Sequence, residues 1–376
     1  MSEFAAGPAG RIERVRALMA ERGYDAIVVR DEANLRWLTG VKGVFDYTFE
    51  FPHAAFITAD QCLFHTDSRY LNSFEENTSA GSPWVYDMDE GTIPGWVAGK
   101  IAANKCRVCA VEDDMQINFY QGIQRGLEDR SVACMLPLMH DDIRKMRAIK
   151  DAEEIELMRH AQSITDAAFQ HMLGYIKPGM TEKQVRNELE NFMFANGADS
   201  LAFGSIVASG PNTANPHAVP SDRVIEKGDF VLMDYGAGYC DYRSDMTRTV
   251  VMGEPTPEQL DLYALVRRAH EECVAAIHPG VEGNDIFKLS KKIIGDAGYG
   301  DYYNHGLGHG VGIDIHELPN FNRSKNIIEV GSVITMEPGV YLPGVGGVRL
   351  EDYGVVTENG YEPFTKTPHD LHVIDC

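Results

Sequence analysis

Two segments confine this chain more than anything else in its sequence. Each is an apolar run that reaches a carboxylate, passes through a glycine-containing turn and returns as a second apolar run carrying another carboxylate. In DFVLMDYGAGYCDYRSDMTRTVVMG the acids are Asp234 and Asp245, 11 positions apart; in SVITMEPGVYLPGVGGVRLEDYGVVT they are Glu337 and Glu351, 14 apart. Both patterns predict β-hairpins. A hairpin of that length can bring its two acids side by side, and two buried carboxylates cost a good deal of free energy unless a cation or a shared proton compensates them. For one pair alone an ordinary explanation serves as well: Asp245 could cap a turn and Glu351 could pair with Arg349. Four acids on two apolar hairpins ask for positive charge.

The histidines supply the next constraint. In HGLGHGVGIDIHELP, His305, His309 and His316 fall among glycines between the two hairpins. Glycine allows backbones to approach closely, and imidazole joined to carboxylates is the ligand set of a borderline divalent metal. Asp, Asp, His, Glu and Glu suit two metals about 3.5–4 Å apart with bridging carboxylates and a hydroxide. A lone histidine is ordinarily a core or surface residue, and His53, His65, His140, His160, His171, His270, His278, His369 and His372 are read that way.

The rest of the chain supplies the setting. Its 376 residues leave room for about two domains. The first part alternates helix and strand: an amphipathic helix over residues 11–21, then strands at 26–30, 53–59 and 106–112, an α/β pattern. A single long charged helix is expected over 141–173, with Ile155, Met158, Ala161, Ile164 and Ala168 on its apolar face, so the domain boundary falls at about 145. Beyond it, helix-rich sequence leads twice into a hairpin, as in an α+β domain of two related halves. The net charge of -22 repels polyphosphate and anionic lipid, which excludes nucleic acid as a partner, and no apolar run is long enough for a membrane span. Seven scattered cysteines are no disulfide framework; Cys106 and Cys109 form a lone CxxC inside a strand pattern and are read as core. These features predict a cytoplasmic protein. No phosphate-binding glycine loop is present.

The five acid and histidine positions resemble those of the pita-bread metallopeptidases, in the branch of Xaa-Pro dipeptidases (prolidases) and Xaa-Pro aminopeptidases. NLRWLTG (34–40) and TDSRY (66–70) are similar to that family's N-terminal domain, and RAIKDAEEI (147–155) to the start of its catalytic domain. The resemblance implies a creatinase-like α/β domain over 1–145 and a pita-bread catalytic domain with pseudo-twofold halves over 146–376. It also implies that Asp234, Asp245, His309, Glu337 and Glu351 hold two divalent ions, with Asp245 and Glu351 bridging; manganese comes first, while cobalt, zinc and iron also accept such ligands. His217 in NPHAVP, His305, His316 and Arg349 match further family positions, and Tyr341 is a candidate substrate orienter.

The chemistry of these groups then suggests attack by a metal-bridging hydroxide. Glu337 would accept and return the proton, His316 would stabilise the oxyanion, and His217 would bind near the residue after the scissile bond. Arg349 and His305 would orient substrate or ligands. The implied substrate is a dipeptide or short peptide with proline second. Dipeptidase and aminopeptidase are not separable at this level. The resemblance implies a homodimer, in which residues 45–51, FDYTFEF, could rim the neighbouring site. Two other readings remain: the same fold and metals acting on a small non-peptide metabolite, disfavoured because no acid stands two residues after Asp234, and a non-catalytic pita-bread binding protein, disfavoured because no ligand is lost.

Overall fold

The computed structural model describes residues 7–42, 52–88, 91–321 and 325–376, and the chain divides between Arg147 and Ala148 into two compact units. The alternating signals of the first part become helices α1 (Gly7–Arg22), α2 (Glu32–Thr39), α3 (Leu71–Asn77), α4 (Ile93–Ala103), α5 (Ile117–Asp129) and α6 (Asp142–Ala148). They enclose strands β1 (Ala26–Val29), β2 (Ala54–Thr58), β3 (Cys62–His65), β4 (Val85–Asp87) and β5 (Cys109–Val111). The strands form one sheet in the order β4-β3-β2-β1-β5, with β1 parallel to β5 and antiparallel to β2. Every residue of β1 and β2 is buried, as befits central strands covered on both faces. Trp96, Val97 and Ile101 of α4 and Phe119, Ile123 and Leu127 of α5 close the core beneath them. Cys106 and Cys109 lie in that core, where burial pushes the Cys106 thiol up to about 11. The segment 45–51 lies outside the described residues.

The long helix expected over 141–173 is two helices, α6 and α7 (Ala152–Tyr175). The break has a local cause. Ile149 bridges Ser332, Lys150 N–H donates to Gly331 O at 2.9 Å, and Asp151 starts a new helix through a reciprocal capping box with Glu154. Charge periodicity carried through the break because Asp151 and Glu154 read equally well as helix surface.

The second unit continues with α8 (Glu182–Ala195), β6 (Ser200–Leu201), β7 (Ile206–Ser209), β8 (Phe230–Tyr235), β9 (Ala237–Tyr239), β10 (Tyr242–Arg243) and β11 (Met246–Met252). Helices α9 (Pro257–Ala275) and α10 (Gly283–Asp296) follow, and then β12 (Gly308–Gly310), β13 (Glu317–Phe321), β14 (Val333–Met336), β15 (Gly339–Leu342), β16 (Gly346–Arg349), β17 (Asp352–Thr357), β18 (Gly360–Pro363) and β19 (Val373–Ile374). Two similar layers result. One sheet, β19-β11-β8-β7, buries Val231, Met233 and Val250 against Phe169, Met172, Val185 and Leu189 of α7 and α8. The other, β13-β12-β14-β17-β18, buries Ile334, Met336 and Val356 against Cys273 of α9 and Ile286 of α10. This is the expected pair of related α+β halves.

Candidate metal centre

Strand register sets the four acids. Thr247 pairs with Asp234 and Met246 with Tyr235, so one further step places Asp245 opposite Gly236. Side chains alternate, which puts Asp234, Asp245 and Thr247 on one face of this hairpin. Gly236 is obligatory: a Cβ there would lie 1.9 Å from the Ser244 carbonyl oxygen. The hairpin tip is not one of the glycines expected to turn it but Cys240 and Asp241, both at positive φ, beyond the short β9–β10 pair.

The second hairpin follows the same rule. Met336 pairs with Asp352 and Gly339 with Arg349, so Glu337 and Glu351 face each other where the strands are interrupted by Pro338. Glu337 and Tyr341 from one strand, and Arg349 and Glu351 from the other, then share a face. Gly339 leaves room for the Tyr341 ring, whose hydroxyl a Cβ would meet at 2.4 Å.

His309 brings the two hairpins together. It sits on β12 at a β-bulge, its N–H donating to Thr335 Oγ1 at 3.0 Å. Flanking glycines let the backbone press in; a Cβ on Gly308 would be 2.3 Å from Thr335 O. Nδ1 lies 3.0 Å from Gly310 O, and since a carbonyl only accepts, Nδ1 carries the proton and Nε2 is the free lone pair. That lone pair is 3.6 Å from Asp245 Oδ2 and 3.6 Å from Glu337 Oε1.

The electrostatics mark the centre as short of positive charge. Burial first, then Glu351 and its neighbouring acids, drive the Asp245 carboxyl well above its ordinary range; burial and then Glu337 do the same to Glu351. Burial pushes Glu337 up to about 8, and it lowers His309 to about 4, leaving the ring neutral as a metal ligand must be. Among the described residues Arg349 is the cation set against these acids, and the structure directs it to Asp234 Oδ2 at 2.5 Å. Asp234 Oδ1 is buried with no hydrogen-bond partner. Asp245, His309 and Glu351 offer ligand atoms close enough together to share an ion. With Glu337 3.6 Å from the same imidazole and the orphaned Asp234 oxygen, the donor set fits divalent cations.

The remaining expected residues gather at the rim. His305 donates from Nδ1 to Gly306 O at 2.7 Å, so its Nε2 accepts from the Tyr341 hydroxyl at 2.9 Å, which in turn accepts from Arg349 Nη1 at 2.8 Å. Burial holds His305 down to about 3. His316 is exposed, and its ring meets that of His309 edge-on with centroids 4.4 Å apart. His217 is exposed on the segment after β7, near enough that its charge lowers His316 and His305; Arg349 Nη1 holds the adjacent Pro216 carbonyl at 3.2 Å.

The description "Metallopeptidase family M24" fits residues 156–358, and "Creatinase/Prolidase N-terminal domain" fits residues 11–149. The chain belongs to metallopeptidase family M24. It is 42% identical over 362 residues to an M24 relative, the Xaa-Pro dipeptidase of Pyrococcus horikoshii, covering 96% of this chain and 98% of that one. Among solved structures it is similar to the Xaa-Pro dipeptidase from Bacillus anthracis, with a TM-score of 0.89, 36% identity and coverage of 98% and 100%. It is also similar to the X-Pro aminopeptidase from Thermotoga maritima, with a TM-score of 0.85, 31% identity and coverage of 97% and 100%. As an M24 member the chain is a metallopeptidase, and the family implies divalent metal. Among the described residues no helix is long and apolar enough to cross a membrane.

Two residues of the site escaped sequence reasoning. Thr247 Oγ1 donates to Glu351 Oε2 at 2.7 Å and accepts from Arg349 Nε at 3.0 Å, tying one hairpin to the other. Alternation from Asp245 would have found it. Glu182 clasps the segment carrying His217 by accepting from Ser209 N–H at 2.7 Å and Ser221 N–H at 3.0 Å. It lies 35 positions before His217 and had no local signal.

Proposed function

We propose that the chain is a dinuclear-metal Xaa-Pro peptidase, hydrolysing the bond before proline in dipeptides or short peptides, in which Asp234, Asp245, His309, Glu337 and Glu351 would hold two ions. The observation that carries this reading is the meeting of two buried acids, Asp245 and Glu351, and the half-buried Glu337 with the unprotonated Nε2 of His309. When bound, the metals supply a water acidic enough to attack near neutral pH and Lewis-acid polarisation of the scissile carbonyl. Manganese is proposed first, with cobalt, zinc or iron as other occupants.

The chain's own groups divide the remaining work. Glu337, which must be ionised to hold metal, takes the proton from the attacking water and returns it to the departing proline nitrogen. That nitrogen leaves as an amine only once it is protonated, and the proton Glu337 took from the water supplies the N–H that the proline lacked before cleavage. His316, lowered by partial desolvation and then by the nearby His217, donates to the developing oxyanion, and exposed His217 binds near the residue after the scissile bond. Arg349 fixes Asp234 through Nη2 and Tyr341 through Nη1, so Tyr341 and His305 form an ordered wall beside the acids. The names of the relatives support proline specificity. The same proposal takes the chain as a homodimer, on its resemblance to the family, and as cytoplasmic, on its scattered cysteines that form no disulfide framework.

The test is hydrolysis of Ala-Pro, Ala-Pro-Ala and Ala-Ala by metal-stripped protein, with and without manganese. Metal-dependent cleavage of Ala-Pro alone is expected of a dipeptidase, and cleavage of Ala-Pro-Ala as well marks an aminopeptidase. Metal-loaded protein inert toward both proline peptides would overturn the proposal in favour of a small-metabolite substrate.

A further inference from the structure

Away from the acid-lined centre, three more ligating side chains converge. His270 on α9, Asp352 at the start of β17 and His369 in the segment between β18 and β19 bring ligand atoms within 4.8 Å of one another. Asp352 divides its carboxylate: Oδ1 accepts from Arg248 Nη2 at 2.7 Å, while Oδ2 accepts from His369 Nε2 at 2.6 Å and lies 3.7 Å from His270 Nε2. The two imidazoles meet nearly edge to face, centroids 4.7 Å apart.

His270 is the anomaly. It is completely buried, and neither ring nitrogen has a hydrogen-bond partner. A neutral imidazole carries one N–H and one lone pair, so such a ring in a helix core is unfavourable where an apolar residue would serve, and buried polar groups are nearly always paired. Burial holds it down to about 4, so the lone pair is available at neutral pH.

We propose that His270, Asp352 and His369 form a second metal site, separate from the peptidase centre, that takes zinc or a cation of similar preference. Two imidazole nitrogens and one carboxylate oxygen, with a fourth position left to water, are a zinc-type ligand set. Arg248 already offsets the charge of Asp352, which disfavours magnesium, calcium and manganese, ions that depend on anionic oxygen. Access runs from His369, whose side chain is 26% exposed. Glu271 lies 3.6 Å from His369 Nδ1. With an ion on Nε2 of His369, the ring proton would sit on Nδ1, the nitrogen that faces Glu271, a carboxylate–histidine–metal arrangement. The ring thus changes tautomer without net proton loss.

Zinc itself is the probe. Crystals of the full chain soaked in zinc chloride should show anomalous scattering at the zinc edge flanked by His270, Asp352 and His369; zinc elsewhere but none within this triad would overturn the proposal. In solution, His369→Ala should bind one zinc equivalent fewer than wild type by equilibrium dialysis, and its manganese-dependent Xaa-Pro hydrolysis should be unchanged. Equal zinc stoichiometry in the two proteins would refute the site. His270→Gln serves as the second variant, with circular dichroism to establish folding. An equivalent that persists in Asp245→Asn and is absent from Asp245→Asn/His369→Ala identifies this site whether or not the peptidase reading holds.

Discussion

Glu182 and the pair Asp245 and Glu351 are buried to nearly the same degree, at 0%, 4% and 2% exposure, yet their surroundings are opposite. Glu182 accepts from the Ser209 and Ser221 backbone N–H groups, from both serine hydroxyls at 2.9 and 2.6 Å, and from Asn212 Nδ2 at 3.1 Å. It also stands in the first turn of α8, where the helix dipole favours negative charge. Glu351 has one such donor, Thr247, and Asp245 faces an imidazole and other acids. The contrast teaches that burial of a carboxylate does not by itself mark a metal site. What marks it is the absence of donors: Glu182 is complete as it stands, whereas the acids of the two hairpins require a cation from outside the chain.

The largest test of this contrast is Asp245→Asn. Removing a proposed ligand should abolish metal occupancy of the hairpin centre and lower kcat/KM by about 10³-fold or more, the several kcal/mol that metal ions supply to such reactions. Stability should move the other way. The metal-free variant loses a buried acid surrounded by acids, so it should melt no lower than metal-free wild type. Metal analysis, kinetics and calorimetry check the three parts, and full activity would sink the ligand assignment.

Thr247→Val comes next. The substitution keeps the shape of a fully buried side chain but removes the hydroxyl that orients Glu351 and receives Arg349. Loss of such a partner should weaken metal affinity by roughly 10–100-fold. Titration of the apo variant with manganese measures it. Affinity equal to wild type would mean that Glu351 is positioned by its backbone alone.

How much of this was legible in the sequence follows from where the information lay. The hairpins were readable because apolar runs ending in acids, and glycines around His309, are local signals. Their registers were not, since the pairing of Asp234 with Thr247 depends on a tip at Cys240 and Asp241 with left-handed backbone that no glycine announces. The Arg349–Asp234 pair joins residues 115 positions apart. Sequence adjacency instead offered Glu351 as the partner of Arg349. His270 and His369 looked like isolated histidines because 99 residues separate two rings that meet in space. Glu182 was hidden differently. Thr181 and Gln184 form a capping box, and between them an acid in the first turn of a helix reads as a surface residue.

Glu182→Gln therefore probes the satisfied end of the contrast and should have the smallest effect on catalysis. An amide offers one oxygen where the carboxylate offers two, and its NH2 must face the N–H groups of Ser209 or Ser221. Leaving those buried donors unmatched should cost roughly 1–3 kcal/mol of stability. The segment they anchor carries His217, so activity should also fall, in KM more than kcat, and by less than the about 10²-fold that a 1 Å misplacement of reacting groups costs. Urea unfolding and steady-state kinetics read the two effects separately. If the variant unfolds like wild type, the segment is held instead by Thr213 Oγ1, which accepts from Gly347 N–H at 2.7 Å, and by the Arg349 bond to Pro216. Glu182 would then be a satisfied acid that the fold can spare, and donor count would no longer separate a structural carboxylate from one awaiting a metal.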